Sequence, residues 1–140
     1  MLSLAEFLIA RIAEDEEAAK QISGQHWWAA SHPADSWIIA SDEGPVVVYN
    51  EGAPTEAEAA HIARWDPVRV LAECEAKRRI VEWHPAVSGT GRDGEAVTGC
   101  ANCIGNAAGQ SFTIAGPCLT IRLLTLPYAD HPDYRDEWKP

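Results

Sequence analysis

Long apolar runs are missing from this chain: its best candidate, Leu2 to Ile12, is interrupted by Glu6 and Arg11. The sequence therefore offers neither a bilayer-spanning helix nor a signal peptide, and the expectation is a cytoplasmic protein with no membrane partner. Basic residues are scarce too, eleven Lys and Arg against 21 Asp and Glu, for a formal net charge of −10. A surface of that sign disfavours nonspecific binding to nucleic-acid backbones or anionic lipid. It suits solubility, a basic partner protein, or imitation of nucleic acid. Phenylalanine is scarce, with two residues, while tryptophan is abundant, with six. Trp27, Trp28, Trp65 and Trp83 either fill a modest core in place of phenylalanine or mark a partner surface, because large aromatics are enriched at interfaces.

Catalytic signatures are also missing. There is no His-Glu-x-x-His, and no His-x-Glu accompanies the cysteines, so the metalloprotease and deaminase patterns do not apply. Gly89-Thr90-Gly91-Arg92-Asp93-Gly94 lacks the lysine and the expected flanking strand of a phosphate loop, and no Gly-x-Ser-x-Gly elbow occurs. His26, His32, His61 and His131 form no recognisable catalytic set, and Asp130-His131 with Asp133 reads as a cap and polar surface cluster. Lys77-Arg78-Arg79, with Arg64 and Arg69, is either a local nucleic-acid contact or the solvated face of a helix; helix faces are usually charged.

What the chain does have is four cysteines. In a reducing compartment, clustered cysteines hold metal more often than each other. Cys100-Ala101-Asn102-Cys103 can present two thiols from one tight turn, Cys118 precedes a predicted helix, and His84 ends another. His84, Cys100, Cys103 and Cys118 make a three-thiolate, one-imidazole set suited to tetrahedral zinc. Four protein ligands leave no position for water or substrate, which reads as a structural site. A redox pair is less attractive, because no strand-then-helix context of a thioredoxin kind surrounds Cys100 and Cys103. Cys74 falls on the apolar face of a helix and reads as a small buried residue.

Local signals outline the remaining organisation. Ser3-Leu4-Ala5-Glu6 is a capping box, followed by Phe7, Leu8 and Ile12 at helical spacing, so a helix is expected to about Gln21. His26 to Pro33 carries no clear assignment. Trp37–Ala40 and Val46–Tyr49, joined by Ser41-Asp42-Glu43-Gly44-Pro45, read as a β-hairpin. A second capping box, Thr55-Glu56-Ala57-Glu58, opens a helix to about Arg64, and Asp66-Pro67 opens the next, which Pro85 stops. Val87 to Gly99 reads as a flexible loop. Ser111–Ile114 reads as a short strand, Leu119–Leu126 as a last helix broken by Pro127, and the tail to Trp138 as a final turn.

Several stretches carry a resemblance. Glu51-Gly52-Ala53-Pro54-Thr55, His61-Ile62-Ala63-Arg64, Asp66-Pro67-Val68-Arg69-Val70-Leu71 and Glu75-Ala76-Lys77-Arg78-Arg79-Ile80 are similar to the domain of unknown function 6221 family. Pro117-Cys118, Leu123-Leu124 and Tyr128-Ala129-Asp130-His131-Pro132-Asp133-Tyr134 with Glu137-Trp138 resemble its C-terminal signature. The likeness covers nearly the whole chain, weakest at 22–36 and 86–99, and implies an origin in actinobacteria or their phages. It implies no activity. It does imply a histidine after the long helix, a Cys-x-x-Cys and a later Pro-Cys, here His84, Cys100, Cys103 and Cys118. One departure is Ile104-Gly105, where the family more commonly follows the pair with a cysteine-then-glycine knuckle.

The resulting expectation is an α+β protein: an N-terminal helix, a β-hairpin, two consecutive helices, and a zinc-stapled lobe of treble-clef or ribbon kind. Residues 1–85 form the helix/hairpin/helix region, and residues 86–140 a zinc-binding lobe packed on it as one compact domain. The functional expectation is a non-enzymatic zinc-binding interaction or regulatory factor with a protein partner. The alternative is a metal-dependent hydrolase or nuclease using His61 or His131 with Asp130.

Overall fold

The computed structural model describes residues 2–32, 36–46 and 53–140. It is α+β, with α1 (Leu4–Lys20), β1 (Trp27–His32), β2 (Ser36–Ser41), β3 (Gly44–Pro45), α2 (Glu56–Arg64) and α3 (Pro67–Trp83) in the first part of the chain. β4 (Ala86–Thr90), β5 (Ala96–Ala107), β6 (Gln110–Ala115) and α4 (Leu119–Thr125) follow, and two short 3-10 turns, Leu126–Tyr128 and Asp136–Trp138, complete it. Two compact units result, Glu14–Glu75 and the combination of Met1–Ala13 with Ala76–Pro140.

In the unit of residues 14–75, β1 pairs antiparallel with β2 along its whole length, Trp27 opposite Ser41 through His32 opposite Ser36. The hairpin between β2 and β3 turns at Asp42-Glu43, with Ala40 opposite Pro45. Ser41 Oγ secures that turn, donating to the Gly44 carbonyl at 2.8 Å and accepting from the Glu43 N–H at 3.2 Å. The expected continuation through Val47–Tyr49, and Glu51-Gly52 after it, lie outside the described residues. β1 is the addition to the sequence reading: Trp-Trp-Ala-Ala-Ser-His has no β-branched residue, and its extended form depends on pairing with β2. α2 packs on β1 and β2 and buries Ala59 and Ala63.

α2 begins as its sequence dictates. Thr55 Oγ1 accepts from the Glu58 N–H at 3.3 Å, and Glu58 Oε2 accepts from the Thr55 N–H at 2.7 Å. Asp66 starts α3 in a related way, its Oδ1 accepting from the Arg69 N–H at 2.8 Å, with Pro67 at the first helical position. There proline's missing N–H costs nothing and its φ is already helical. Pro67 and Cys74 are fully buried.

In the other unit, Ser3 and Glu6 close the capping box of α1, with Glu6 Oε2 accepting from the Ser3 N–H at 2.7 Å. Leu4, Phe7, Leu8 and Ile12 then form one buried face. Burying each such side chain contributes about 1.5–3 kcal/mol. β4, β5 and β6 form an antiparallel sheet in that order. The expected flexible loop from Val87 to Gly99 is therefore corrected: Ala86–Thr90 pairs with Ala96–Cys100 across a turn in which the Gly91 N–H donates to the Glu95 carbonyl at 2.8 Å. Glycine and serine hid this hairpin, because those residues weaken a strand signal without forbidding a strand that finds partners. The end of the chain wraps onto Phe7. Its ring meets Trp138, His131 and Tyr134 at centroid separations of 5.1, 5.6 and 6.0 Å.

Among the described residues no helix is long and apolar enough to cross a membrane.

Candidate metal centre

Three pieces of backbone converge at the end of α3. Pro85 has no N–H with which to continue the helix, so the chain leaves α3 at His84, whose own N–H still bonds the Val81 carbonyl at 3.0 Å. The next residues enter β4, where Ala86 pairs with Cys100. The Ala101 N–H donates to the Pro85 carbonyl at 3.0 Å. His84 and Cys100 are thus neighbours because a helix stop runs directly into a strand pairing.

The cysteine pair does not sit in a free turn, as expected, but within β5. Against β6, Gly99 pairs with Ala115 and Ile104 with Thr113. Five steps along β5 thus match two on β6, and the surplus falls on Cys100–Cys103. Such extra residues leave the ladder and re-aim side chains at a site. Asn102, inside this bulge, donates from Nδ2 to the Trp83 carbonyl and ties it back to α3. Gly99 is required beside it: a Cβ there would lie 2.0 Å from the Ile114 carbonyl oxygen. Gly116, at φ +83°, then redirects the chain out of β6, a conformation costly for residues with a Cβ. Pro117 follows, and Cys118 is the extended N-cap of α4, at φ −68° and ψ 160°.

His84 Nδ1 lies 3.2 Å from Cys100 Sγ and 3.5 Å from both Cys103 Sγ and Cys118 Sγ. All four donor atoms fall within 4.8 Å of one another. One imidazole N–H can point at only one sulfur, so three near-equal contacts are the pattern of four donors facing a common centre, not of a single hydrogen bond. With zinc bonds of about 2.05 Å to nitrogen and 2.3 Å to sulfur, a tetrahedron has an N···S edge of about 3.6 Å. The donors fit that frame slightly contracted, and the group can hold a metal ion. Cys100 and Cys118 are buried, Cys103 and His84 half-buried.

The electrostatics of the three sulfurs are compatible with a cation among them. Burial, reinforced by the Cys100 and Cys118 sulfurs beside it, pushes the Cys103 thiol up to about 12. Burial opposes ionisation of Cys118 as well, but the backbone amides of Ile121 and Thr120 and its two cysteine neighbours outweigh it and hold this thiol below its ordinary value. Three sulfurs this close cannot share three negative charges unaided; a divalent ion among them removes the obstacle. An apolar cavity of about 250 Å³ borders His84, Cys100 and Cys118, walled by Leu4, Ala86 and Ile121.

The whole chain, residues 1–140, matches the model of a family described as Family of unknown function (DUF6221). The chain belongs to that family. No curated protein and no solved structure matches it.

Among the described residues this is the one group of three or more His, Cys, Asp or Glu side chains placed to hold a metal. The other candidates in this DUF6221 chain lie elsewhere. Cys74 is buried in α3 outside the group, and His61 is exposed on α2. His26 is 3.9 Å from Asp66. His131 is half-buried against Phe7 and Arg11, accepts from the Asp133 N–H, and has the Asp133 carboxylate 4.0 Å away, so the polar pairing with Asp133 expected of it is present. The His32 side chain lies outside what is described. Lys77 lies over the Tyr128 ring at 5.7 Å, while Arg69 stacks on Trp65 at 4.2 Å and pairs with Glu73 at 2.9 Å. These contacts engage cations that a nucleic-acid surface would need. Sequence reading missed Asn102 and Gly99, whose roles depend on which carbonyls lie opposite them.

Proposed function

We propose that His84, Cys100, Cys103 and Cys118 hold a structural zinc ion, and that the protein is a non-enzymatic interaction or regulatory factor of bacterial or phage origin, working in the cytoplasm. The observation carrying this reading is the convergence of one imidazole nitrogen and three sulfurs at N···S separations of 3.2–3.5 Å. Soft thiolates with one imidazole favour zinc over magnesium or calcium, which take oxygen ligands. Four protein donors complete the tetrahedron, so the metal has no open position at which to activate water. The ligands come from the end of α3, the bulge of β5 and the start of α4, so the ion would bind three separate elements together. The four cysteines form no disulfide, which leaves Cys100, Cys103 and Cys118 able to ligate as thiolates.

Elemental mass spectrometry on protein purified without added metal or chelator tests the reading. One zinc per chain, lost on substitution of Cys100 together with cooperative folding, is the expected result. A metal-free protein that folds normally overturns it. A metal that carries an exchangeable water in X-ray absorption would favour a hydrolase or nuclease instead.

A further inference from the structure

Charge is divided between the two units in a way the total conceals. Residues 14–75 hold thirteen Asp and Glu against three Lys and Arg, while the remainder of the chain holds eight of each. The whole net charge of −10 therefore belongs to one unit. Within that unit lies an open apolar groove of about 210 Å³, bounded by Asp15, Ala18 and Ile22 of α1 and its following turn, by Trp27, and by Trp65 and Val70. Trp65 is 44% exposed and Ile22 37%. The nearby cations are engaged: Lys20 faces Glu16 at 3.9 Å, and Arg69 pairs with Glu73 and covers one face of Trp65. Asp15 borders the groove, and Glu14, Glu16 and Glu17 carry the negative charge round the other faces of α1.

We propose that this groove docks a lysine- or arginine-rich amphipathic segment of a partner protein. One large apolar side chain would enter between Ile22 and Trp65, and the flanking cations would be drawn by the net negative charge of the whole unit. An apolar socket within a strongly acidic unit selects partners carrying both an apolar anchor and the opposite sign. Nucleic acid has the wrong sign. A second copy of this chain presents the same acidic unit and is repelled. The proposal rests on the interaction-protein reading above but not on the zinc site, since every groove residue lies outside the metal-bearing unit.

The test is fluorescence anisotropy of a labelled synthetic peptide of leucine and lysine at amphipathic helical spacing, titrated with the full-length protein. Controls are the glutamate-for-lysine peptide and the variants Ala18→Phe and Trp65→Ala, each checked for native circular dichroism. Ala18→Phe fills the groove and leaves every charge in place. Binding of the lysine peptide alone, weakened about tenfold or more by either variant and reduced by added salt, is the expected result. No binding, or binding that Ala18→Phe and Trp65→Ala leave unchanged, overturns the proposal, the second because it would reflect charge alone. Zinc content measured on the same samples separates this outcome from failure of the metal reading.

Discussion

Arg11 Nη1 lies 2.7 Å from His131 Nε2, joining the first helix to a segment 120 residues further along the chain. The contact belongs to a cluster in which Phe7 is fully buried among His131, Tyr134 and Trp138, and Arg135 covers Trp138 at 4.2 Å. The C-terminal tail is thereby part of the core of its unit. Trp138, 5% exposed, closes it.

Trp138→Ala is accordingly expected to cost about 3 kcal/mol or more of stability, the range for emptying a buried aromatic site. Denaturant titration checks this through the midpoint. A change within a few tenths of a kcal/mol would mean the tail does not stay on Phe7 in solution.

Cys100→Ser and Cys118→Ser should each abolish stoichiometric metal, and a strong chelator should reproduce their thermal destabilisation in the native protein. Cys74→Ala is the internal control: it removes a buried thiol from α3 but should leave metal content unchanged. Equal metal loss in all three variants would remove the assignment of ligands.

Gly99→Ala tests the bulge from the backbone side. With the Ile114 carbonyl oxygen 2.0 Å from the added carbon, β5 and β6 must separate, at a cost of about 1–3 kcal/mol. Metal affinity should fall as well, because Cys100 is the next residue. Thermal melts with and without metal would reveal both effects.

The capping box of α2 carries a pH dependence. Hydrogen bonds from the Thr55 backbone and then its hydroxyl hold the Glu58 carboxyl below its ordinary value of 4.5. A folded-state value below the unfolded one means that its stabilisation is present above about pH 4.5 and is lost as the pH falls through the depressed value. Thr55→Ala should remove about 1 kcal/mol and move the Glu58 titration, followed by NMR, only part of the way back toward the ordinary value, because the backbone N–H of residue 55 still donates to its carboxylate. An unshifted Glu58 in the native protein would contradict the cap.

How much of this was legible beforehand follows the range of the forces involved. Ser3 with Glu6, Thr55 with Glu58, and Asp66 with Pro67 mark helix starts that the structure reproduces, because a cap is a contact between residues three apart. His84, Cys100, Cys103 and Cys118 could be named together because metal chemistry restricts the donor types. Their setting could not: placing the cysteine pair in a strand bulge depends on how β5 registers against β6, and β1 and β4 are extended only because β2 and β5 lie beside them.

By itself, then, the sequence determined where helices begin, which four side chains suit a soft metal, and how strongly acidic the chain is, since each depends on neighbouring residues or on composition. Tertiary structure alone decided that those four donors converge, that Phe7 receives the C-terminal aromatics, and that an apolar groove opens within the acidic unit. The physical reason is that each of these depends on strand register and on packing between residues distant along the chain, which no local pattern records.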